Sequence, residues 1–347
     1  MNITVLGCGR WGSFLAWYHG QKHNVALWGR AGSRGFAQLC ETRANGYVTL
    51  PDSVRTQPDL GRALAFSDTI VISISAQQLR TFARQLNEFP ISGKTFILCM
   101  KGLECETGKR LTQVFQEEVH QPVALAVWVG PGHVQDFTAG IPNCMVVDSA
   151  SEAVTSHVVN TFSSDLIRLY KGHDLVGTEL GAAAKNVIGI AAGMLDGRGL
   201  SSMKGALMAR GAREVARLIR AMGGNELSAY GLCHLGDYEA TLFSAHSHNR
   251  CFGESFIRGQ AFHQLAEGVP TAKALVTLGE AHGVDLPISR TVYEILYLHV
   301  GADEALRRRD ELLRPGHVLR ASRRRRELPD PPWRGVRAGG RVGLRQD

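Results

Sequence analysis

No apolar run in this 347-residue sequence approaches the roughly 20 residues that a membrane-crossing helix needs, so no membrane span is expected. The opening residues, MNITVLGCG, carry no basic n-region and no cleavage site, which predicts a cytoplasmic protein without a signal peptide. Seven cysteines (Cys8, Cys40, Cys99, Cys105, Cys144, Cys233, Cys251) never fall at C-x-x-C spacing. An odd, scattered set argues against a disulfide framework or a zinc site and for reduced thiols. Four histidines crowd the later sequence (His234, His246, His248 and, farther on, His263), but His246 and His248 alone lack a third well-spaced ligand, so no metal is expected.

Excess positive charge is missing from most of the chain. The formal net charge is +7, but residues 307–347 hold thirteen Arg against five Asp or Glu, and the rest of the chain carries 26 basic and 27 acidic groups. That terminal stretch has no Lys and no apolar period able to build a core. Residues 315–347 are expected to be a disordered, solvated extension, and no nucleic-acid partner is expected.

What is present is an ordinary globular composition, 44% hydrophobic, in a chain long enough for two domains. Short β-branched runs at 2–7, 24–29, 68–75, 94–100, 123–130 and 143–149 are separated by several stretches of helical spacing. Strands alternating with helices predict an α/β, doubly wound parallel sheet over residues 1–172. From 173 to 314 the patterns read as helices without convincing strands, which predicts an all-helical second domain.

The segment NITVLGCGRWG places Gly7, Gly9 and Gly12 in G-x-G-x-x-G, directly after a strand and opening a helix. In that setting the first glycine permits a tight turn, the second lets backbone approach a pyrophosphate, and the third allows close helix packing. The second strand ends in Trp28-Gly29-Arg30, where an NAD-selective site usually ends in an acid that holds the ribose 2′-hydroxyl. Arg30, helped by Arg10, suits a 2′-phosphate, so NADP is favoured over NAD. Lys101 and the VGPGHV turn with Gly130 and Gly132 follow strands at the sheet edge where ligands bind.

GAAAKNVIGIAAG, residues 181–193, sets one ammonium, Lys185, among small apolar residues. Small side chains are required if a ligand backbone comes close to this face, and a desolvated lysine has a lowered pKa suited to proton transfer; a snorkelling lysine is the plainer alternative. Downstream, Asp237, Thr241, Asn249 and Arg250 offer a carboxylate, hydroxyl, amide and guanidinium around a polar substrate.

Taken in order, VLGCGRWG, MKGLE, VGPG, GTELGAAAKNVIGIAAGMLDGRGL, LGD, HNR and EGVPTA resemble the NAD(P)-dependent glycerol-3-phosphate dehydrogenases, from residue 1 to about 300. The resemblance implies an N-terminal Rossmann domain, a helical substrate domain, and hydride transfer between NAD(P)H and C2 of dihydroxyacetone phosphate, supplying glycerol 3-phosphate for phospholipid synthesis. A homodimer is the expected assembly. Lys185 falls on the family's proton donor or acceptor, Lys101 on its second active-site lysine, and Asp237 on its GD aspartate. Trp11, Val134 and Glu267 fall among the cofactor contacts, and Ser247, His248 and Asn249 among the substrate contacts. Three departures stand out: GPGHV replaces the usual Gly-Pro-Ser/Thr-Phe-Ala, the stretch before EGVPTA is short, and His248 replaces an arginine that grips phosphate. Neutral imidazole lacks the bidentate charge of guanidinium, leaving Arg250 or a protonated His248 to compensate. These departures keep open a sister dehydrogenase for another hydroxy acid or polyol phosphate, or a silent nucleotide sensor.

Overall fold

The computed structural model describes residues 1–302, 304 and 305; the segment expected to be disordered at 315–347 lies outside the described residues. Eight strands form one sheet: β1 (Asn2–Leu6), β2 (Asn24–Trp28), β3 (Val54–Gln57), β4 (Thr69–Ile72), β5 (Thr95–Leu98), β6 (Ala124–Val129), β7 (Asn143–Asp148) and β8 (Ile167–Lys171). Their spatial order is β3-β2-β1-β4-β5-β6-β7-β8. Between them run α1 (Arg10–Gly20), α2 (Arg34–Thr42), α3 (Leu60–Ala65), α4 (Leu79–Leu86), α5 (Leu111–Glu118), α6 (Val134–Thr138) and α7 (Glu152–Phe162).

The central strands read as unbroken apolar runs because both faces are covered. Ile3, Val5, Val71 and Ile97 point into one core with Phe14 and Trp128, while Leu6, Ile70, Ile72 and Phe96 point into another with Phe82 and Phe115. The sheet is mostly parallel, as expected, with one exception: β6 and β7 pair antiparallel. An antiparallel neighbour needs no crossover, and the regular structure between these two strands is the five-residue α6. β3 and β8, which the sequence pattern did not reveal, are edge strands with exposed polar positions, so neither carries an apolar run. β1 lies between β2 and β4, so chain crossovers leave it in opposite directions. A crevice opens there at the carboxyl edge of the sheet.

After β8 the chain is helical: α8 (Leu175–Gly197), α9 (Lys204–Ala221), α10 (His248–Ile257), α11 (Gly268–His282) and α12 (Pro287–Tyr297). The Ala-rich α8 is buried on every side through most of its length. Its small residues serve helix packing, which corrects the expectation that they admit a ligand backbone. A Cβ at Gly193 would lie 1.9 Å from the Arg250 carbonyl, and one at Gly253 on α10 would lie 2.1 Å from the Ile190 carbonyl. Two helices approaching that closely need bare Cα atoms where they meet. Glu179 on α8 ties the helix to the start of α5, accepting from the Thr112 amide (2.9 Å) and hydroxyl (2.6 Å) and pairing with Arg110 (2.5 Å). The chain divides into two compact units, Met1–Arg290 and Thr291–Asp347; the boundary expected near residue 172 falls at the turn before α8, inside the first.

Candidate active site

The floor of the crevice is made of backbone. Gly7 closes β1 with φ +112°, and a Cβ there would sit 2.3 Å from the Ser73 carbonyl at the end of β4. Gly12 packs as tightly, its notional Cβ 1.9 Å from the Gly7 carbonyl. Gly9 differs: nothing lies within 4 Å of a Cβ there, and it begins α1 with no side-chain cap. The unfilled N–H groups of a helix start therefore meet open space suited to an anion.

Above this floor lies a cleft of about 1200 Å³. Gly7, Gly9, Arg10, Trp11, Gly132 and Val134 line it. Trp11 is held from behind by Phe14 and Phe137, with centroids 5.0 and 6.2 Å away. Arg30 is exposed at the β2 end. Glu267 reaches in from the start of α11. Its Oε1 accepts from the Ser75 hydroxyl (3.0 Å) and the Ala76 amide (3.1 Å), while Oε2 is buried without a partner, and burial raises its pKa. A buried acceptor left open in a cleft, beside bare helix N–H groups, fits a hydroxyl-rich, phosphate-bearing dinucleotide.

At the other end three charged side chains converge. Lys101 stands just beyond β5, Lys185 in the middle of α8, and Asp237 before a single π-helical turn, Glu239–Phe243. Asp237 Oδ2 accepts from both ammoniums, Lys185 Nζ at 2.7 Å and Lys101 Nζ at 2.9 Å. Lys185 Nζ also donates to Thr241 Oγ1 at 2.8 Å, and Lys101 Nζ donates to the Gly130 carbonyl. Each ammonium thus has two protein acceptors for its three hydrogens, leaving one N–H for a ligand. Asp237 is 1% exposed and Lys185 7%. Burial lowers the Lys185 pKa to about 8; Asp237 pulls it upward and Lys101 pushes it down. Lys185 therefore does not snorkel.

A chain of amides positions this group. Asn186 Nδ2 donates to the Lys101 carbonyl (2.8 Å), Asn249 Nδ2 donates to Asn186 Oδ1 (3.0 Å), and the Gly268 amide donates to Asn249 Oδ1 (2.9 Å). Asn186 lines the cleft and was not singled out from the sequence, although it directly follows Lys185. His133 was missed as well. It lines the cleft 2.7 Å from the Ala240 carbonyl, its pKa lowered to about 4, by burial first.

Ser247, His248 and Asn249 all line the cleft, the first as N-cap of α10. Arg250 does not reach it: its guanidinium is taken by Asp196 (2.9 Å), Glu254 (2.7 Å) and the Ser244 carbonyl (3.0 Å). Gly12 and Gly130 are not in the cleft lining: Gly12 packs on Gly7, and the Gly130 carbonyl accepts from Lys101. His234 is structural, its Nδ1 2.9 Å from the Gly181 carbonyl and its Nε2 2.6 Å from the Tyr238 hydroxyl. Among the described residues no three His, Cys, Asp or Glu side chains gather as a metal site, and no helix is long and apolar enough to cross a membrane.

Residues 2–155 match the family described as NAD-dependent glycerol-3-phosphate dehydrogenase N-terminus, and residues 174–307 match the corresponding C-terminus. The glycerol-3-phosphate dehydrogenase [NAD(P)+] of Pelodictyon phaeoclathratiforme is 35% identical, the alignment covering 88% of this chain and 96% of that protein. The enzyme of the same name from Moorella thermoacetica is 37% identical over 85% of this chain and 91% of its own. A crystal structure of glycerol-3-phosphate dehydrogenase from Coxiella burnetii superposes with a TM-score of 0.83 at 26% identity, covering 90% of this chain and 99% of that one. With the dinucleotide cleft and the paired lysines at its end, these likenesses show that the chain belongs to the NAD-dependent glycerol-3-phosphate dehydrogenase family.

Proposed function

We propose that the chain interconverts dihydroxyacetone phosphate and sn-glycerol 3-phosphate, with Lys185 as the proton donor and acceptor. The observation that carries this reading is the single buried carboxylate shared by two ammoniums at the end of a dinucleotide cleft. When bound, the nicotinamide supplies or takes up the hydride at C2. As hydride reaches the ketone carbon, negative charge grows on its oxygen. The free N–H of Lys185 stabilises that charge and then delivers the proton, leaving a neutral amine that is reprotonated from solvent. Lys101 adds positive field at the same oxygen, and Asp237 holds both ammoniums in place through bonds they do not release. In the oxidative direction the neutral amine takes the hydroxyl proton.

At the cofactor end, Gly7, Gly9, Trp11 and Val134 are the proposed contacts, with Glu267 Oε2 as acceptor for a hydroxyl or amide. Arg30 favours NADP in this reading, because it carries charge where NAD-selective sites place an acid. Residues 1–172 hold the nucleotide and 173–314 the substrate; a cytoplasmic homodimer that supplies glycerol 3-phosphate for phospholipid synthesis belongs to the same proposal. The test is oxidation of NADPH and NADH with dihydroxyacetone phosphate, beside unphosphorylated dihydroxyacetone. Turnover that needs the phosphate is the expected result. Binding of NADPH without turnover would overturn the reaction in favour of a sensor.

A further inference from the structure

Of the cations lining the cleft, Lys101 and Lys185 share Asp237, whereas Arg10 has no carboxylate partner among the described residues. The Arg10 side chain leaves the glycine loop and crosses to the start of α10. Its Nη1 donates to the His246 carbonyl and lies 3.1 Å from His248 Nε2, also at 3.1 Å from the carbonyl. Since guanidinium can only donate, Nε2 of His248 is the acceptor, and the remaining proton on Nδ1 points at the Leu265 carbonyl, 3.3 Å away. His248 is thereby a neutral acceptor that aims Arg10, not a cation in its own right. Burial and the charge of Arg10 both lower its pKa, in keeping with a neutral ring.

Both bonds use Nη1, so Nε and Nη2 form an open fork with no protein partner among the described residues. That edge is the geometry guanidinium uses to take two oxygens of a phosphate at once. The contacts themselves indicate which end of the cleft the fork serves: His248 is followed on α10 by Asn249, whose amide donates to Asn186 beside Lys185. We infer that Arg10, presented by the glycine loop and held by His248, is the guanidinium that grips the substrate phosphate. The inference rests on the proposed reaction only for the identity of that substrate. A site whose helix α10 cannot offer a free guanidinium, with Arg250 consumed by Asp196 and Glu254, is completed by one from the nucleotide side.

The experiment compares wild type with Arg10→Met, Arg10→Lys and the double variant R10S/H248R. Three quantities are read: kcat/KM for dihydroxyacetone phosphate and for dihydroxyacetone, NADPH affinity by fluorescence titration, and thermal stabilisation by glycerol 3-phosphate against glycerol. Arg10→Met is expected to lose about 50-fold in kcat/KM for the phosphorylated ketone, the size expected when one partner of a desolvated charge pair is removed. The losses for the unphosphorylated ketone and in NADPH affinity should each be several-fold smaller than that. Stabilisation specific to glycerol 3-phosphate should vanish; Arg10→Lys should recover part of it and R10S/H248R most of it. Equal losses for both ketones, or a loss confined to NADPH affinity, would overturn the inference by assigning Arg10 to general architecture or to the cofactor. If wild type binds glycerol 3-phosphate through Arg10 but turns nothing over, the phosphate grip stands and the proposed reaction falls.

Discussion

The two ends of the cleft are built by different means. At the nucleotide end the recognition surface is mostly backbone: Gly7 and Gly12 are needed because other backbone lies within contact of their Cα atoms, and Gly9 because it leaves helix N–H groups uncovered. At the substrate end it is side chains drawn from distant elements, with Lys101, Lys185 and Asp237 brought to one carboxylate oxygen. A backbone-built surface is set by a short local motif. A side-chain-built one depends on every helix that carries a member, so its failures are chemical at the charged groups and structural at the packing behind them.

The sharpest way to break the comparison is Lys185→Met. If the substrate end does proton chemistry that the nucleotide end cannot replace, turnover should fall about 10³-fold, within the range for losing a positioned acid–base group, while NADPH affinity stays within a few-fold. Near-normal kcat would remove Lys185 from the reaction. Next in size is Gly193→Ala, which touches no charged group. Its Cβ would meet the Arg250 carbonyl at 1.9 Å, forcing α8 and α10 apart at a cost of about 3 kcal/mol. A thermal melt should drop by several degrees, and KM for the ketone should rise more than that for NADPH, since Asn249 rides on α10. An unchanged melting temperature would mean that the two helices yield easily.

The pH dependence separates the ends without mutation. Burial lowers Lys185 to about 8. Reduction needs the ammonium, so kcat/KM for dihydroxyacetone phosphate should be level below that pH and fall about tenfold per unit above it. Oxidation needs the neutral amine, so its kcat/KM should rise with pH and level off above the same point. Asp237 raises the Lys185 pKa, so Asp237→Asn should move both midpoints to lower pH. A profile in which the two directions share the same slope would sink the proton role.

The sequence was most legible where structure is local. The glycine loop, the six apolar strands and the switch from alternating to helical patterns are each written in a few adjacent residues. β3 and β8 were not, because exposed polar positions interrupt their apolar pattern, and no residue pattern marks the reversal at β7. In the site, Lys101, Lys185 and Asp237 were legible one at a time, but that they share one oxygen is a fact of tertiary geometry. The small face of α8 was misread for the same reason: its partner, α10, lies some sixty residues later and pattern alone cannot separate a neighbouring helix from a ligand. The Arg10–His248 contact spans 238 positions, and nothing local marks it.

Arg30 gives the smallest effect and the finest discrimination within the nucleotide end. It is the one place where a charged side chain, rather than backbone, is proposed to choose the cofactor. It is exposed, stands just past β2 in the cleft lining, and has no acid beside it in the Trp28-Gly29-Arg30 turn. Water and salt screen an exposed guanidinium, so its contribution to a 2′-phosphate is modest, and Arg30→Met should weaken NADPH relative to NADH by about three- to tenfold. The ratio should shrink further in wild type as salt is raised, because the preference is electrostatic. NADH parameters should hardly move, since ribose hydroxyls take no charge from Arg30. An unchanged NADPH-to-NADH ratio would mean that the absence of an acid, not the presence of this arginine, sets cofactor choice.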